Sequence, residues 1–252
     1  MRQSIAQRQT LNLISQLSKN PKSKFKTQIM SLAISIVSGG LDSVVMAHLL
    51  CEEGHALHLV SFDYGQRHVK ELEYSRLCAK RLNAVHNVID LRGVGAVLGG
   101  SALTDNSIEV PHGHYASPSM AITIVPNRNA IFLAVAYGVA VAQNAQLVAT
   151  AVHAGDHFIY PDCRPDFISK FDEMQRVAVE GCGDPNLKLH APFVQKTKSE
   201  IVKIGARLNV PFNETWSCYE GLEVHCGRCG TCVERREAFD LAGVLDPTEY
   251  SG

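Results

Sequence analysis

The sequence predicts an α/β protein, a doubly wound parallel sheet followed by a cysteine-rich loop. Apolar runs of strand length alternate with amphipathic runs of helix length across residues 32–209. Strands separated by helices pair in parallel through right-handed crossovers, which places helices on both faces. A Ser-Gly-Gly turn joins the first strand to its helix, at the carboxyl edge where open sheets of this class hold their ligands. The 252 residues, 46% hydrophobic and 19% charged, suffice to bury a core around such a sheet.

Residues 32–37 are apolar and branched, a buried strand, and 43–53 then run helical to Gly54 at a capping position. A second apolar run at 56–62 leads into a polar loop at 63–68 and a helix at 69–83, where Val69, Leu72, Ala79 and Leu82 share a face. Residues 87–91 read as the third strand. From 93 to 128 the periodicity fails and Gly, Pro, Ser and His accumulate. A loop of that length points to a functional lid. Its Gly93, Gly95 and Gly99 are not spaced as G-x-G-x-x-G, so no dinucleotide fingerprint is expected. A helix at 129–145, a buried strand at 147–152, a helix at 165–180, a short strand at 188–193 and a helix at 198–209 complete the alternation. A cysteine-rich loop at 216–233 and a closing helix follow.

Charge narrows the function. Lys+Arg total 24 against Asp+Glu 25, a net charge of -1, so no global positive field exists to hold nucleic acid, and no nucleic-acid partner is expected. The longest run without a charged or strongly polar side chain, 130–142, is shorter than the roughly 20 residues a membrane-spanning helix needs. Of the 8 cysteines, Cys226, Cys229 and Cys232 fall so close together that a metal suits them better than the disulfides of a small secreted domain. A reducing, cytoplasmic location is therefore expected. Residues 1–29 form a basic N-terminal extension, with Arg2, Arg8, Lys19, Lys22, Lys24 and Lys26 and no acid before Gln28. Leu11, Ile14 and Leu17 sit at helical spacing, so the segment reads as a short surface helix with a flexible tail or as the result of an upstream start before Met30, with a transit peptide as the alternative.

The segment Ser38-Gly39-Gly40-Leu41-Asp42-Ser43 carries the clearest chemistry. Successive small residues let backbone N–H groups converge on a phosphate, the helix N-terminus adds partial positive charge, and the two serines supply hydroxyls. A plain Gly-Gly turn capped by Asp42 or Ser43 accounts for the glycines but not for the flanking serines. Without a lysine the loop is not a Walker A motif. The second feature is Cys218-x7-Cys226-x2-Cys229-x2-Cys232. Four thiolates at these intervals suit tetrahedral zinc, one per chain. An iron–sulfur cluster is the rival, buried free cysteines are the third reading, and His225 could replace one ligand.

The first segment resembles the SGGxDS pyrophosphate loop of the N-type ATP pyrophosphatases. With Phe62-Asp63-Tyr64-Gly65-Gln66-Arg67-His68, Val125-Pro126-Asn127-Arg128-Asn129, Tyr160-Pro161-Asp162-Cys163-Arg164 and Cys218-Tyr219 plus the terminal cysteines, the chain is similar to the 7-cyano-7-deazaguanine synthase family, QueC, from about Leu32 to Phe239. The resemblance implies an adenine nucleotide α-hydrolase-like domain at 30–212 and a zinc-binding loop with closing helix at 213–252. It implies an ATP-dependent ligase joining 7-carboxy-7-deazaguanine and ammonia into the 7-cyano product of queuosine biosynthesis, with ATP as co-substrate, Mg²⁺ bridging its phosphates, and a homodimer.

On that resemblance Val37, Ser38, Gly39, Gly40, Leu41, Asp42 and Ser43 hold the nucleotide, and Ser38, Asp42 and Arg128 are catalytic. Arg67, Arg128 and Arg164 are the anion partners, since guanidinium matches carboxylate and phosphate bidentately. Each could equally be a surface ion-pair residue. Gln66 joins the substrate set; Tyr64 or Phe158 could stack on a base. One of Asp156 and Asp162 accepts from the N1–H and 2-amino groups of the guanine-like ring, and the other is a helix cap or a metal ligand. One departure stands out. Familiar members resemble Gly-Val-Cys-Glu-Thr-Asp where this chain has Ala151-Val152-His153-Ala154-Gly155-Asp156, which leaves open a ligase that passes the adenylated acid to another amine, such as one on a protein. A tRNA sulfur-transfer enzyme with a cysteine-bound cluster and a non-enzymatic zinc module are the remaining rivals.

Overall fold

The computed structural model describes residues 31–251, so the basic N-terminal extension lies outside the described residues. Five strands, β1 (Leu32–Ile36), β2 (Ala56–Asp63), β3 (Val85–Asp90), β4 (Leu147–Ala149) and β5 (Lys188–His190), pair in parallel in the order β3-β2-β1-β4-β5. The chain first builds leftward from β1 and then returns to its other side. That reversal creates the switch point at which open sheets bind ligands.

Because side chains alternate along a strand, the sheet feeds two cores. Ala33, Leu57, Leu59, Leu147 and Ala149 pack beneath α1 (Leu41–Glu52), α2 (Glu71–Leu82), α5 (Lys198–Arg207) and α6 (Gly230–Ala242). Ile34, Val60, Phe62 and Val148 pack against α3 (Arg128–Gln143) and α4 (Pro165–Ala178). The closing helix contributes Ala238 and Phe239 to the first of these cores. Among the described residues no helix is long and apolar enough to cross a membrane.

Several boundaries differ from the sequence reading. The first helix starts at Leu41 because Gly40, extended at φ -71 and ψ 159, is its N-cap. Asp42 and Ser43 therefore stand on the helix's first turn. Helix α2 starts two residues later than read, at Glu71, and closes on Asn83 in left-handed conformation, φ 50, which lets β3 begin at Val85, two residues earlier than read. Strand β5 stops at His190 since Pro192 has no N–H for the ladder, and β4, after one last bond from Thr150 N to His190 O (3.0 Å), turns into the cleft.

The aperiodic stretch after β3 is an ordered cover. It holds a single helical turn (Arg92–Gly95) and a 3-10 turn (Pro118–Thr123), and buries Ser101, Ala102, Leu103, Tyr115 and Met120. Gly95 is dictated by contact: a Cβ there would overlap the Tyr64 carbonyl oxygen.

Candidate active site and metal knuckle

The cleft opens over the carboxyl ends of β1 and β4. Behind its lining Gly39 takes φ +95, and a Cβ there would overlap the Glu71 carbonyl oxygen. Only glycine passes beneath α2 here. The Ser38 and Ser43 hydroxyls meet at 3.3 Å over the N-terminus of α1, with Ser43 Oγ donating to Gly40 O at 2.9 Å. Val37 is buried at the end of β1, and Leu41 turns into the core. The backbone of 38–43, with two hydroxyls and a helix N-terminus, has the chemistry that suits an anion.

Beside it lies a charged cluster drawn from four segments. Lys198, at the start of α5, donates to Asp42 Oδ2 at 3.0 Å and pairs with Glu234 Oε2 at 2.9 Å. His153 Nε2 lies 3.7 Å from Asp42 and 3.6 Å from Asp156. Burial penalises the Asp42 charge, but Lys198 and His153 outweigh it and hold the carboxyl below its ordinary range. Lys198 is likewise penalised by burial, yet Asp42, Glu234 and Asp156 raise its pKa and keep it charged. Glu234 is pushed up, chiefly by burial. Asp42 Oδ1 is buried and has no partner among the described residues. An orphaned carboxylate oxygen within an acidic group, next to an anion cradle, suits a hard divalent cation that also touches phosphate.

His153 explains the local departure in sequence. Its Nδ1 accepts from Gly155 N at 3.1 Å, while Asp156 Oδ2 accepts from His153 N at 3.3 Å, a reciprocal cap of the short turn Ala154–Phe158. That cap fixes Asp156, which also accepts from Tyr115 of the cover at 3.0 Å.

The opposite wall carries Arg128, in the first turn of α3, which donates to the Tyr64 hydroxyl at 3.2 Å. Burial pushes that phenol up to about 12. Glu71, also in the wall, is pushed up to about 7 by burial, and His68 down to about 3 for the same reason.

The structure does not bring the whole predicted set together. Ser38, Gly40, Leu41, Asp42, Ser43, Tyr64, Arg128 and Asp156 line one cleft. Arg67 instead points along the cover, donating to the carbonyls of Asp105 (3.1 Å) and Ile108 (2.8 Å) and facing Glu220. Arg164 donates to His157 O at 2.9 Å outside the cleft. Asp162 accepts from Asn129 N at 3.0 Å, capping α3. Gln66 is buried and spent on the chain itself, accepting from Tyr64 N (2.9 Å) and donating to Phe62 O (3.0 Å). Phe158 is 84% exposed, so it stacks on nothing in the cleft. Sequence reasoning missed Lys198, Glu234, Glu71 and Tyr115. One signal for Lys198 was available: Thr197 and Glu200 form a capping box that marks a helix start, where a cation is electrostatically out of place unless it serves something else.

The cysteines converge as the spacing predicted. The sulfurs of Cys218, Cys226, Cys229 and Cys232 lie within 4.8 Å of one another, all buried. Four buried thiols at this spacing suit one metal ion. Cys232 stands on the first turn of α6, so the predicted loop ends in helix. His225 is no ligand here: its Nε2 accepts from Ser217 N at 3.0 Å. Below the knuckle the fully buried Arg235 binds Phe212 O (3.0 Å), Thr215 (2.7 Å) and Asp246 (3.2 Å). Burial opposes the Asp246 charge, but Arg235 outweighs it and holds the carboxyl below its ordinary 3.8. The pair's contribution is therefore complete above pH 3.8 and fades as pH falls through the lower folded value. Arg235→Ala is expected to cost about 3 kcal/mol at neutral pH by urea unfolding, with a smaller loss in acid.

Fold and site together define a doubly wound parallel α/β protein with a Ser-Gly-Gly-Leu-Asp-Ser turn at its switch point and a four-thiol knuckle at its C-terminal end. The chain belongs to the QueC family, since the profile described as "Queuosine biosynthesis protein QueC" matches residues 32–243. It is 61% identical over 218 residues to "7-cyano-7-deazaguanine synthase 1" of Mesorhizobium japonicum, covering 86% of this chain and 93% of that one. It is also 61% identical over 217 residues to "7-cyano-7-deazaguanine synthase" of Paracoccus denitrificans, covering 86% and 92%. Among solved structures, NMN synthetase from Francisella tularensis aligns with a TM-score of 0.47 at 18% identity, over 96% of this chain and 88% of that one.

Proposed function

We infer that this protein is an ATP-dependent ligase that converts 7-carboxy-7-deazaguanine and ammonia to 7-cyano-7-deazaguanine. The observation that carries the reading is a complete SGGLDS cradle at the switch point of a chain 61% identical to a named synthase. A carboxylate resists ammonia until one of its oxygens becomes a leaving group. Adenylation supplies that group, with pyrophosphate released. Ammonia then displaces AMP to give the amide, and a second adenylation of the amide oxygen followed by loss of AMP and protons leaves the nitrile.

In this reading the N–H groups and hydroxyls of Ser38 to Ser43 hold the triphosphate, Lys198 balances its charge, and Asp42 presents its free oxygen to Mg²⁺. Bound there, Mg²⁺ would neutralise charge as pyrophosphate departs. Arg128 holds the acid's carboxylate. The four cysteines hold one zinc, with all four places filled by sulfur and none left for water, so its role is structural. Homodimer formation and a cytoplasmic location belong to the same reading.

Incubation with ATP, Mg²⁺, the acid and ammonia as sole amine is expected to yield the nitrile, with AMP and pyrophosphate as coproducts, by mass spectrometry. Formation of ADP alone would contradict adenylation. An activated acid that accumulates until another amine is added would favour the amine-transfer reading.

A further inference from the structure

The phosphate cradle and Lys198 occupy one end of the cleft, and the wall beyond them carries a second set of unspent groups. Glu71 opens α2 directly above Gly39 and is 9% exposed. Its Oε1 is fixed by Gln66 Nε2 at 3.1 Å, and Gln66 is in turn locked to the backbone on both sides. Its Oε2 accepts no hydrogen bond from any described residue. Beside it His68 is buried, with an unpartnered Nδ1 and its ring 5.4 Å from that of Tyr219. Arg128 faces Glu71 across the cleft without a hydrogen bond between them. A rigid acceptor, flat aromatic walls and a cation at the far end describe a slot for a planar, polar bicycle.

We propose that Glu71 reads the N1–H and 2-amino edge of the deazaguanine base, which turns its 7-carboxylate towards Arg128, and so determines which purine enters this end of the cleft. The inference rests on the synthase reading above. Two adjacent donors on a base edge match the two acceptor oxygens of one carboxylate. Other carboxylates are committed elsewhere: Asp162 caps α3, Asp156 is held by Tyr115 and His153, and Asp42 by Lys198. Adenine presents a lone pair at N1 in place of a donor, so a Glu71 carboxylate repels it. The slot thereby keeps the ATP base out of the acid's place. Burial already holds the Glu71 carboxyl high, at about 7, and two N–H donors would compensate that unfavourable charge.

The test compares the wild type and Glu71→Gln on 7-carboxy-7-deazaguanine and on its analogue lacking the 2-amino group. Gln keeps the oxygen that Gln66 binds while replacing the other acceptor by a donor. Wild type is expected to prefer the parent acid by about 100-fold in kcat/KM, and Glu71→Gln to lose most of that preference by failing on the parent, with KM for ATP unchanged. Equal use of both acids by the wild type overturns the proposal, and does so even if the variant does not fold. Equal losses on both acids in the variant, or a rise confined to KM for ATP, overturn it too. If the wild type makes no nitrile from the parent acid, the synthase reading itself falls.

Discussion

Asp42→Ala is expected to lower ATP-dependent pyrophosphate release by about 10²- to 10³-fold while leaving the melting temperature within a few degrees of wild type. The two halves of that expectation have separate physical grounds. Asp42 has one oxygen on Lys198 and the other buried without a partner among the described residues, so on the proposed reading its removal deletes the group that would hold Mg²⁺ at the phosphates. Stability survives because Lys198 keeps Glu234 at 2.9 Å as its counter-charge. The converse variant differs. Lys198→Met leaves Asp42, Glu234 and Asp156 facing one another without their cation, so activity and stability should fall together. Steady-state pyrophosphate release and thermal unfolding on both variants check the pair. Near-normal turnover in Asp42→Ala would remove the cradle assignment, and an intact melting temperature in Lys198→Met would show that the cluster carries no net charge strain.

The contrast between these variants also shows where sequence reading stops. Ser38 to Ser43 and Cys226 to Cys232 were legible because their partners are close neighbours along the chain, and spacing alone encodes a turn around an anion or a metal. Lys198 and Asp42 are 156 residues apart. Nothing local to either one announces the pair; only the β4 crossover at the switch point brings them together. Arg67, Arg164 and Asp162 fail for a related reason: side-chain chemistry was read correctly, but whether a guanidinium faces the cleft or a neighbouring carbonyl depends on the strand end and loop that carry it. The fold class was legible because alternation of apolar runs is a property of long windows. The starts of its short strands were legible too, at Leu147 and Lys188, but not their ends, since β4 and β5 have three residues each and stop where the chain must leave the sheet to build the site.

Substituting Cys229 by Ala is expected to abolish stoichiometric metal binding, lower thermal stability steeply and reduce turnover, although the knuckle contributes no group to the phosphate cradle. In a tetrahedron of zinc–sulfur bonds of about 2.3 Å, neighbouring sulfurs stand about 3.8 Å apart. The four sulfurs here lie within 4.8 Å, with Cys226 and Cys232 at 4.0 Å. Donors already point at them: Cys229 N lies 3.2 Å from Cys226 Sγ and Cys226 N 3.4 Å from Cys218 Sγ, an arrangement that favours thiolates. On the proposed zinc reading the metal replaces four thiol protons and joins the four sulfurs, so its binding energy would be folding energy, about 10–16 kcal/mol in small zinc domains. The knuckle also holds the cover and the cradle. Gly113 N donates to Arg228 O at 2.9 Å, Met120 packs where a Cβ on Gly230 would stand, and Trp216 N donates to Gly39 O at 2.9 Å. Loosening it would free Tyr115 from Asp156 and the Gly39 carbonyl from its anchor, and by that route a structural metal would affect turnover. Elemental analysis should give about one zinc per wild-type chain and far less in Ala variants of Cys218, Cys226, Cys229 or Cys232, with melting temperature and kcat falling in step. Iron with visible absorbance in the wild type, or four variants with unchanged metal content and stability, would refute the structural zinc site.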